Sequence, residues 1–221
     1  AAATFVPHVR AVVPHGVDTA RFTPAADRAA AWHATGFAGE YGILSIGRIR
    51  PEKGTDLFVR AMIRALPHLP GATAVAVGMA KPADTAFLQT LKAEVAAANL
   101  SDRILFPGEI PAPRMPQTLQ GAALLMALPR YEGYGLTPLE AMASGVPVIA
   151  SQTGHFAEFV GETAGAIVGQ QDWQTAADTA VSLLTDPARH AAWSAAARDR
   201  ATRLFGIETE VAGIRAVYDQ L

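Results

Sequence analysis

Cysteine is absent from the 221 residues of the chain. Its absence excludes disulfide bonds, zinc–thiolate sites, iron–sulfur clusters and thiol nucleophiles. A strong charge is missing as well, because the net charge is −2 and the isoelectric point is about 6.3. The composition therefore gives no indication of nucleic acid or an anionic membrane surface as a partner.

Long hydrophobic runs are missing too. The longest, residues 122–128, is far shorter than the ~20 residues that a membrane-spanning helix needs, so we expect no transmembrane segment. The chain opens Ala-Ala-Ala-Thr-Phe, without an initiating methionine or a basic-then-apolar leader, and it fits a piece of a longer protein. Lysine occurs only as Lys53, Lys81 and Lys92, so a lysine inside a motif is informative.

Half of the residues are hydrophobic, which is typical of a globular chain, and the length allows one large domain or two small ones. After a short strand and connector in residues 1–24, apolar runs alternate with segments of helical periodicity. Strands are predicted at residues 41–46, 73–77, 104–106, 122–128, 146–150 and 166–168, and helices at residues 25–34, 55–66, 84–98, 115–120, 137–144, 156–160, 173–184, 189–204 and 207–220. This alternation predicts a Rossmann-like α/β fold, a doubly wound parallel sheet with helices on both faces.

Such sheets bind ligands outside the carboxyl ends of their strands, so the loops there are the candidate sites. The loop after the first strand holds Arg48 and Lys53 between Gly47 and Gly54. These two cations are placed to converge on one anion, such as a nucleotide pyrophosphate. The loop matches neither a Walker A motif nor a dinucleotide fingerprint. A solvated basic turn is an equally valid interpretation of this loop alone.

The loop after residues 122–128 carries an acid and two glycines, Glu132, Gly133 and Gly135. Glycine lets the backbone approach a ligand closely. A helix is predicted to follow, with Thr137 as its N-cap and Pro138 at its first position, and a helix N-terminus is a ready phosphate site. In this helix Glu140 either closes a capping box with Thr137 or faces a ligand. Likewise, Glu132 by itself could be an ordinary surface acid.

Together the two loops resemble a known family. Residues 47–54 (Gly-Arg-Ile-Arg-Pro-Glu-Lys-Gly) and residues 132–147, with the acid pair Glu132 and Glu140, resemble the retaining GT-B glycosyltransferases of the GT4 type. The resemblance covers nearly the whole chain, and the residue-by-residue sequence of the motifs is most similar to that of lipopolysaccharide-core mannosyltransferases. It implies that residues 1–24 are an interdomain connector, that residues 25–221 are the donor-binding domain, and that an N-terminal acceptor domain is absent from the chain.

The resemblance also implies roles for individual residues. Arg48 and Lys53 hold the donor diphosphate and stabilise it as it leaves, and Glu132 faces the donor sugar. Glu140 accepts the ribose hydroxyls. The residues implied to contact the donor, including backbone amides for the distal phosphate, are Gly47, Ile110, Gly133, Tyr134, Gly135, Leu136, Thr137 and Glu140.

The sequence departs from the family pattern at three places. His15 stands where the family usually has Asn, and Tyr134 stands where it usually has Phe between the motif glycines. The pair Gly154-His155 replaces a common Gly-Gly. None of these changes removes a charged motif residue, but the last puts the local turn near the sugar in doubt.

The implied activity is transfer of a hexose, with retention, from a nucleotide sugar to a lipopolysaccharide-core or other glycan acceptor. GDP-mannose is the favoured donor, with a UDP-sugar as the other option. We expect no cofactor and no metal, because the sequence has no Asp-x-Asp pair. We also expect a cytoplasmic protein, with peripheral inner-membrane attachment left open, whose isolated chain needs the N-terminal domain for activity.

Two alternatives remain open at this point. The first is a non-catalytic module of the same fold that binds a nucleotide or a partner. The second is a sugar-nucleotide epimerase or a phosphorylase of related architecture.

Overall fold

A six-stranded parallel sheet forms the centre of the molecule, whose computed structural model describes residues 11–220. In chain order the strands are β1 (Tyr41–Ile46), β2 (Ala72–Val77), β3 (Ile104–Gly108), β4 (Ala122–Ala127), β5 (Val148–Ser151) and β6 (Gly165–Val168). Their order across the sheet is β3-β2-β1-β4-β5-β6, and every neighbouring pair is parallel. This is the doubly wound order expected of a Rossmann-like domain.

Helices connect the strands and cover the sheet on both faces. They are α1 (Arg28–His33), α2 (Thr55–Ala65), α3 (Thr85–Ala97), α4 (Met115–Gly121), α5 (Leu136–Ala143), α6 (Phe156–Val160), α7 (Trp173–Leu184), α8 (Pro187–Leu204) and α9 (Ile207–Tyr218). Short 3₁₀ turns occupy Pro51–Lys53, Leu66–His68, Pro82–Asp84 and Ala112–Arg114. The predicted α/β fold is confirmed, and most element ends agree with the sequence prediction to within two residues.

The core lies in two layers, one on each face of the sheet. Successive residues of β1 belong to different layers, because side chains alternate across a strand. Ile43 lies in the same layer as Phe58 and Met62, whereas Leu44 lies in the layer of Trp32 and Phe156. Both faces of the strand are therefore buried, which explains why its sequence is a continuous apolar run rather than an alternating one.

The segment before α1 packs against the rest of the domain. Residues 11–24 contain an isolated parallel bridge, Val17 to Gly206, instead of the short strand that the sequence suggested, and residues 1–10 lie outside the described part. Val17 and Phe22 are both buried in the second core layer. The segment is thus attached to the domain by apolar burial more than by a sheet ladder.

The strand order determines where a ligand site is possible. The chain leaves β1 toward one side of the sheet, through β2 and β3, and then crosses to β4 on the other side of β1. The connections after β1 and β4 therefore leave the same carboxyl edge of the sheet in different directions, and a crevice opens between them. These are the two loops in which the sequence places its charged motifs.

Candidate functional site

The loops after β1 and β4 approach each other closely at Gly54. This residue has φ +67°, in the left-handed region, and a Cβ atom there would overlap the carbonyl oxygen of Leu128. Only glycine combines this backbone conformation with so close an approach. The contact brings the 3₁₀ turn Pro51–Lys53 beside the start of the second loop.

Lys53 and Glu132 meet in the crevice. The Lys53 ammonium donates to Glu132 Oε2 at 2.6 Å, and the side chains are only 24% and 20% exposed. The two residues are 79 positions apart in the sequence. The structure therefore joins one charged residue from each motif into a partly buried ion pair, which is screened less by salt than a surface pair.

Two adjoining cavities follow the carboxyl edge of the sheet. The smaller, of about 40 Å³, contains the ion pair, and the larger, of about 480 Å³, lies beyond β1 toward β2 and the loop after β3. They share Ile46, Gly47 and Val77 as lining residues. The larger volume falls in the usual range for small-molecule sites.

The predicted site residues divide among these cavities. Gly47 lines both; Lys53, Glu132, Gly135 and Thr137 line the smaller one; Arg48 and Ile110 line the larger one. Arg48 and Lys53 thus line two adjoining cavities. Gly133, Tyr134, Leu136 and Glu140 are not among the lining residues of either cavity.

Helix α5 begins earlier than predicted. Its N-cap is Gly135, with φ +86°, and Leu136 is the first helical residue. The assignments of Thr137 as N-cap and Pro138 as first residue were wrong, because the left-handed conformation of Gly135 turns the chain into the helix before Thr137. No side chain among residues 11–220 caps this end, so its first amide groups remain suited to an anion.

The same geometry excludes one of the two interpretations of Glu140, the capping box. No capping box forms with Thr137, and the Glu140 carboxylate has no hydrogen bond or ion pair with any side chain in the described range. Burial raises the pKa of Glu140, and the positive charge of Arg21 partly opposes this shift. A half-buried carboxylate without a protein partner is a candidate acceptor for ligand hydroxyls.

The Tyr134 side chain belongs to an aromatic cluster beside the glycine loop. Its hydroxyl donates to the His15 carbonyl oxygen at 2.8 Å, and its ring lies 5.1 Å from the His15 ring and 5.3 Å from the His155 ring. The ring centroid of Phe159 lies 4.8 Å from that of Tyr134, in an edge-to-face arrangement. The three departures from the family pattern are thus one structural unit, which ties the loop to the segment before α1.

Sequence reasoning missed one pair of residues at the crevice. Arg130, in the loop after β4, donates to both carboxylate oxygens of Asp56, in the first turn of α2, at 2.8 and 2.7 Å. Burial acts to raise the pKa of Asp56, but the hydrogen bond and charge of Arg130 outweigh it, so this pKa lies below its ordinary value. An acid on the buried face of α2, together with an arginine just after β4, was the available signal.

Within residues 11–220, no cluster of three or more His, Asp or Glu side chains has an arrangement that would hold a metal ion. Over the same range, no helix combines the length and the apolar character needed to cross a membrane.

Comparison with known proteins identifies similar sequences. The profile of the family described as "Glycosyl transferases group 1" matches residues 33–200. The chain is 42% identical over 214 residues to the lipopolysaccharide core biosynthesis mannosyltransferase LpsB of Rhizobium meliloti, covering 95% of the chain and 60% of the relative. It is 43% identical over 218 residues to LpcC of Rhizobium leguminosarum bv. viciae, covering 98% and 60%. The chain therefore spans about 60% of the length of these relatives.

Solved structures show the same architecture. The C-terminal domain of a glycosyl transferase group 1 family protein (LpcC) from Francisella tularensis superposes with a TM-score of 0.83 at 34% identity, covering 87% of the chain and 100% of that domain. Anabaena Alr3699/HepE, solved with UDP, superposes with a TM-score of 0.87 at 23% identity, covering 96% of the chain and 57% of that protein. The second likeness concerns the fold alone.

Proposed function

The chain belongs to the glycosyl transferases group 1 family, and we propose that its crevice binds the nucleotide-diphospho-sugar donor of a hexosyl transfer, with GDP-mannose as the donor. The choice of donor is supported by relatives whose names specify mannosyl transfer. One of them, a GDP-mannose-dependent mannosyltransferase of Corynebacterium glutamicum, is 34% identical over 197 residues, covering 84% of the chain and 50% of the relative.

The observation that carries this proposal is the placement of the Lys53–Glu132 ion pair. It lies in the small cavity beside the uncapped start of α5, and the larger cavity opens next to it with Arg48 on its wall. A nucleoside fits the volume of the larger cavity, and its diphosphate would then reach the cationic groups where the cavities meet.

The chemistry of the proposed transfer agrees with these charges. When the bond between the sugar and the distal phosphate breaks, negative charge develops on the diphosphate. Arg48, Lys53 and the amide end of α5 are groups that stabilise such charge without reorganising. We assign Glu132 to the donor sugar and Glu140 to the ribose hydroxyls, and we propose that the anomeric configuration is retained.

Two glycines of the motifs support a ligand that approaches the backbone closely. Neither Gly47 nor Gly133 has a positive φ. A Cβ atom on Gly133 would meet nothing within 4 Å, and one on Gly47 would lie 3.9 Å from the nearest atom, Lys53 Cδ. The protein's own packing therefore does not require glycine at either position, whereas a bound diphosphate or sugar would.

In our proposal, the acceptor does not bind to this chain. A lipopolysaccharide-core or other glycan acceptor would bind through a further, N-terminal domain, so the 221-residue chain would bind the donor without transferring sugar efficiently. Robust mannosyl transfer from GDP-mannose to an acceptor by this chain alone would contradict that division of labour.

The test is calorimetric titration of the chain with GDP, UDP, ADP and GDP-mannose. We expect GDP and GDP-mannose to bind, and to bind more tightly than ADP. A preference for UDP would change the proposed donor to a UDP-sugar but would leave the proposed site unchanged. Absence of binding for every nucleotide would reject the proposal in favour of a non-catalytic module of the same fold.

A further inference from the structure

A second ion pair lies near the Lys53–Glu132 pair. Its acid, Asp56, is more deeply buried than Lys53 or Glu132, whereas the Arg130 side chain is 31% exposed. The guanidinium of Arg130 forms a two-pronged contact with Asp56, whose residue surface is only 6% exposed. The same guanidinium donates to the carbonyl oxygen of Pro51, and the Arg130 backbone N–H donates to the carbonyl oxygen of Glu52 at 2.8 Å. One residue of the second loop is thus bonded to two residues of the first loop and to one residue at the start of α2.

These bonds bracket the charged groups of the crevice on both sides. Pro51 and Asp56 lie just before and just after Lys53 in the sequence, and Arg130 lies two residues before Glu132. The second loop is also held from behind, where Ser151 Oγ donates to the Pro129 carbonyl oxygen at 2.8 Å. Because both ends of the Lys53 turn are bonded to Arg130, the position of Lys53 relative to Glu132 depends on that residue.

We propose that Asp56 and Arg130 are positioning residues that set the spacing between Lys53 and Glu132, and thereby prepare the crevice for the diphosphate end of a nucleotide. The ligand part of this inference rests on the proposed function. The positional part rests on the hydrogen bonds alone. Asp56 and Arg130 act through the Lys53–Glu132 pair and need not touch the ligand.

The burial of Asp56 favours a positioning role for the pair over a purely stabilising one. A charged pair that is removed from water gains little net stability, because desolvation offsets the attraction. A planar guanidinium bound to two carboxylate oxygens does fix direction and distance, which a compact ammonium group would not. Arg60 lies near Asp56 as well, at 3.7 Å, but it makes no two-pronged contact.

The chain contains a matched pair for comparison. Arg64 and Asp178 form a two-pronged contact of the same kind, at 2.7 and 3.0 Å, between α2 and α7. Both side chains are more than half exposed, and neither lines the two cavities of the crevice. Removing that pair changes a similar set of bonds without touching the loops of the site.

The test compares two double variants of the whole chain, Asp56→Leu with Arg130→Met and Asp178→Leu with Arg64→Met. Replacing both partners with apolar residues leaves no unpaired buried charge, so the first variant should still fold. The first readout is the ¹³C-methyl NMR signal of reductively methylated Lys53, which is one of only three lysines. Glu132→Gln gives the position of this signal when the ion pair is absent.

We expect the Lys53 signal to move toward its Glu132→Gln position in the Asp56/Arg130 variant and to stay in place in the Arg64/Asp178 variant. Arg130→Lys, which keeps the charge but loses the planar fork, should give an intermediate position. A Lys53 signal that keeps its native position in the Asp56/Arg130 variant would overturn the proposal. So would a native signal identical to that of Glu132→Gln.

The second readout is the ratio of the dissociation constants of GMP and GDP, which reports on the distal phosphate. We expect the Asp56/Arg130 variant to lose about tenfold of the native preference for GDP. A merely structural role would weaken both nucleotides equally, and that result would also overturn the positioning role. If the native chain binds neither nucleotide, the proposed function fails, and the Lys53 signal still decides the positional inference.

Discussion

In our proposal, most of the charge chemistry of the crevice depends on Lys53. It is bonded to Glu132, it lines the small cavity, and it ends the 3₁₀ turn that Arg130 holds in place. A cation in this position contributes twice in our proposal, first to the binding of a diphosphate and then to its departure. Its removal should therefore affect phosphate recognition more than folding.

Lys53→Ala should weaken the binding of GDP by about 1.5–3 kcal/mol, roughly ten- to hundredfold, because one charge-assisted hydrogen bond is lost. Calorimetric titration measures the change. The control is Lys92→Ala, which removes an exposed lysine that lines neither cavity of the crevice. Equal GDP affinity in the native chain and in Lys53→Ala would remove Lys53 from the site.

Glu140 should stabilise the ligand at the expense of the fold. Its pKa is raised by burial, so the folded state binds the proton more tightly than the unfolded state does. Native stability from this group is therefore present below the ordinary carboxyl pKa and is lost as the pH rises through the raised value. At neutral pH the buried charge costs stability.

Glu140→Gln should therefore become more stable relative to the native chain as the pH rises from about 4 to about 7, the range in which the carboxyl group ionises. The same variant should bind GDP less tightly. Melting temperatures at several pH values and calorimetry measure the two effects. The exposed Glu162 provides the control variant Glu162→Gln. A lower melting temperature with unchanged GDP affinity would mean that Glu140 serves only the helix.

At the scale of elements, the important feature is the start of α5 in the glycine loop. Gly135 is needed by the backbone, because its φ is +86° and a Cβ atom would collide with the ring of Phe156. Gly133 is not needed by the fold in this sense. Two glycines separated by a single residue are thus explained differently, one by the packing of the protein and the other by the proposed ligand.

This difference can be tested with two alanine variants. Gly135→Ala should lower the free energy of unfolding by about 1–3 kcal/mol, since it introduces both strain and overlap. Gly133→Ala should stay within about 0.5 kcal/mol of the native stability yet bind GDP-mannose less tightly. Chemical denaturation and calorimetry give the two quantities. The assignment of Gly133 to ligand approach would fail if GDP-mannose affinity were unchanged.

At the scale of the whole molecule, the sheet order brings every part of the crevice to one edge. Charge on a donor diphosphate would be balanced there by Arg48, Lys53 and the amide end of α5, which come from the connections after β1 and β4. In our proposal these groups do the work that a divalent cation does in other sugar transferases.

GDP binding should therefore be the same, within about twofold, in EDTA and in millimolar MgCl₂. Parallel titrations of the chain in the two buffers measure this. A fall in affinity of tenfold or more on addition of EDTA, reversed by Mg²⁺, would show that the cationic groups of the chain are not sufficient.

Much of the fold was predictable because its helices and strands depend on patterns among neighbouring residues. The strand at Tyr41–Ile46 and the helices at Phe156–Val160 and Trp173–Leu184 lie where the apolar pattern placed them. The start of α5 was misplaced, because Thr137 and Pro138 are strong local signals for a helix end. The conformation of Gly135, which overrides them, depends on how the loop packs.

The sequence by itself determined the alternation of strands and helices and the motifs, because periodicity and spacing are properties of neighbouring residues. The family followed from the resemblance of those motifs to known ones. Only the tertiary structure decided which distant residues meet. Lys53 and Glu132 are 79 positions apart, and Asp56 and Arg130 are 74 apart. Their contacts exist because β1 and β4 are neighbours in the sheet, and strand order is settled by packing of the whole chain rather than by any local pattern.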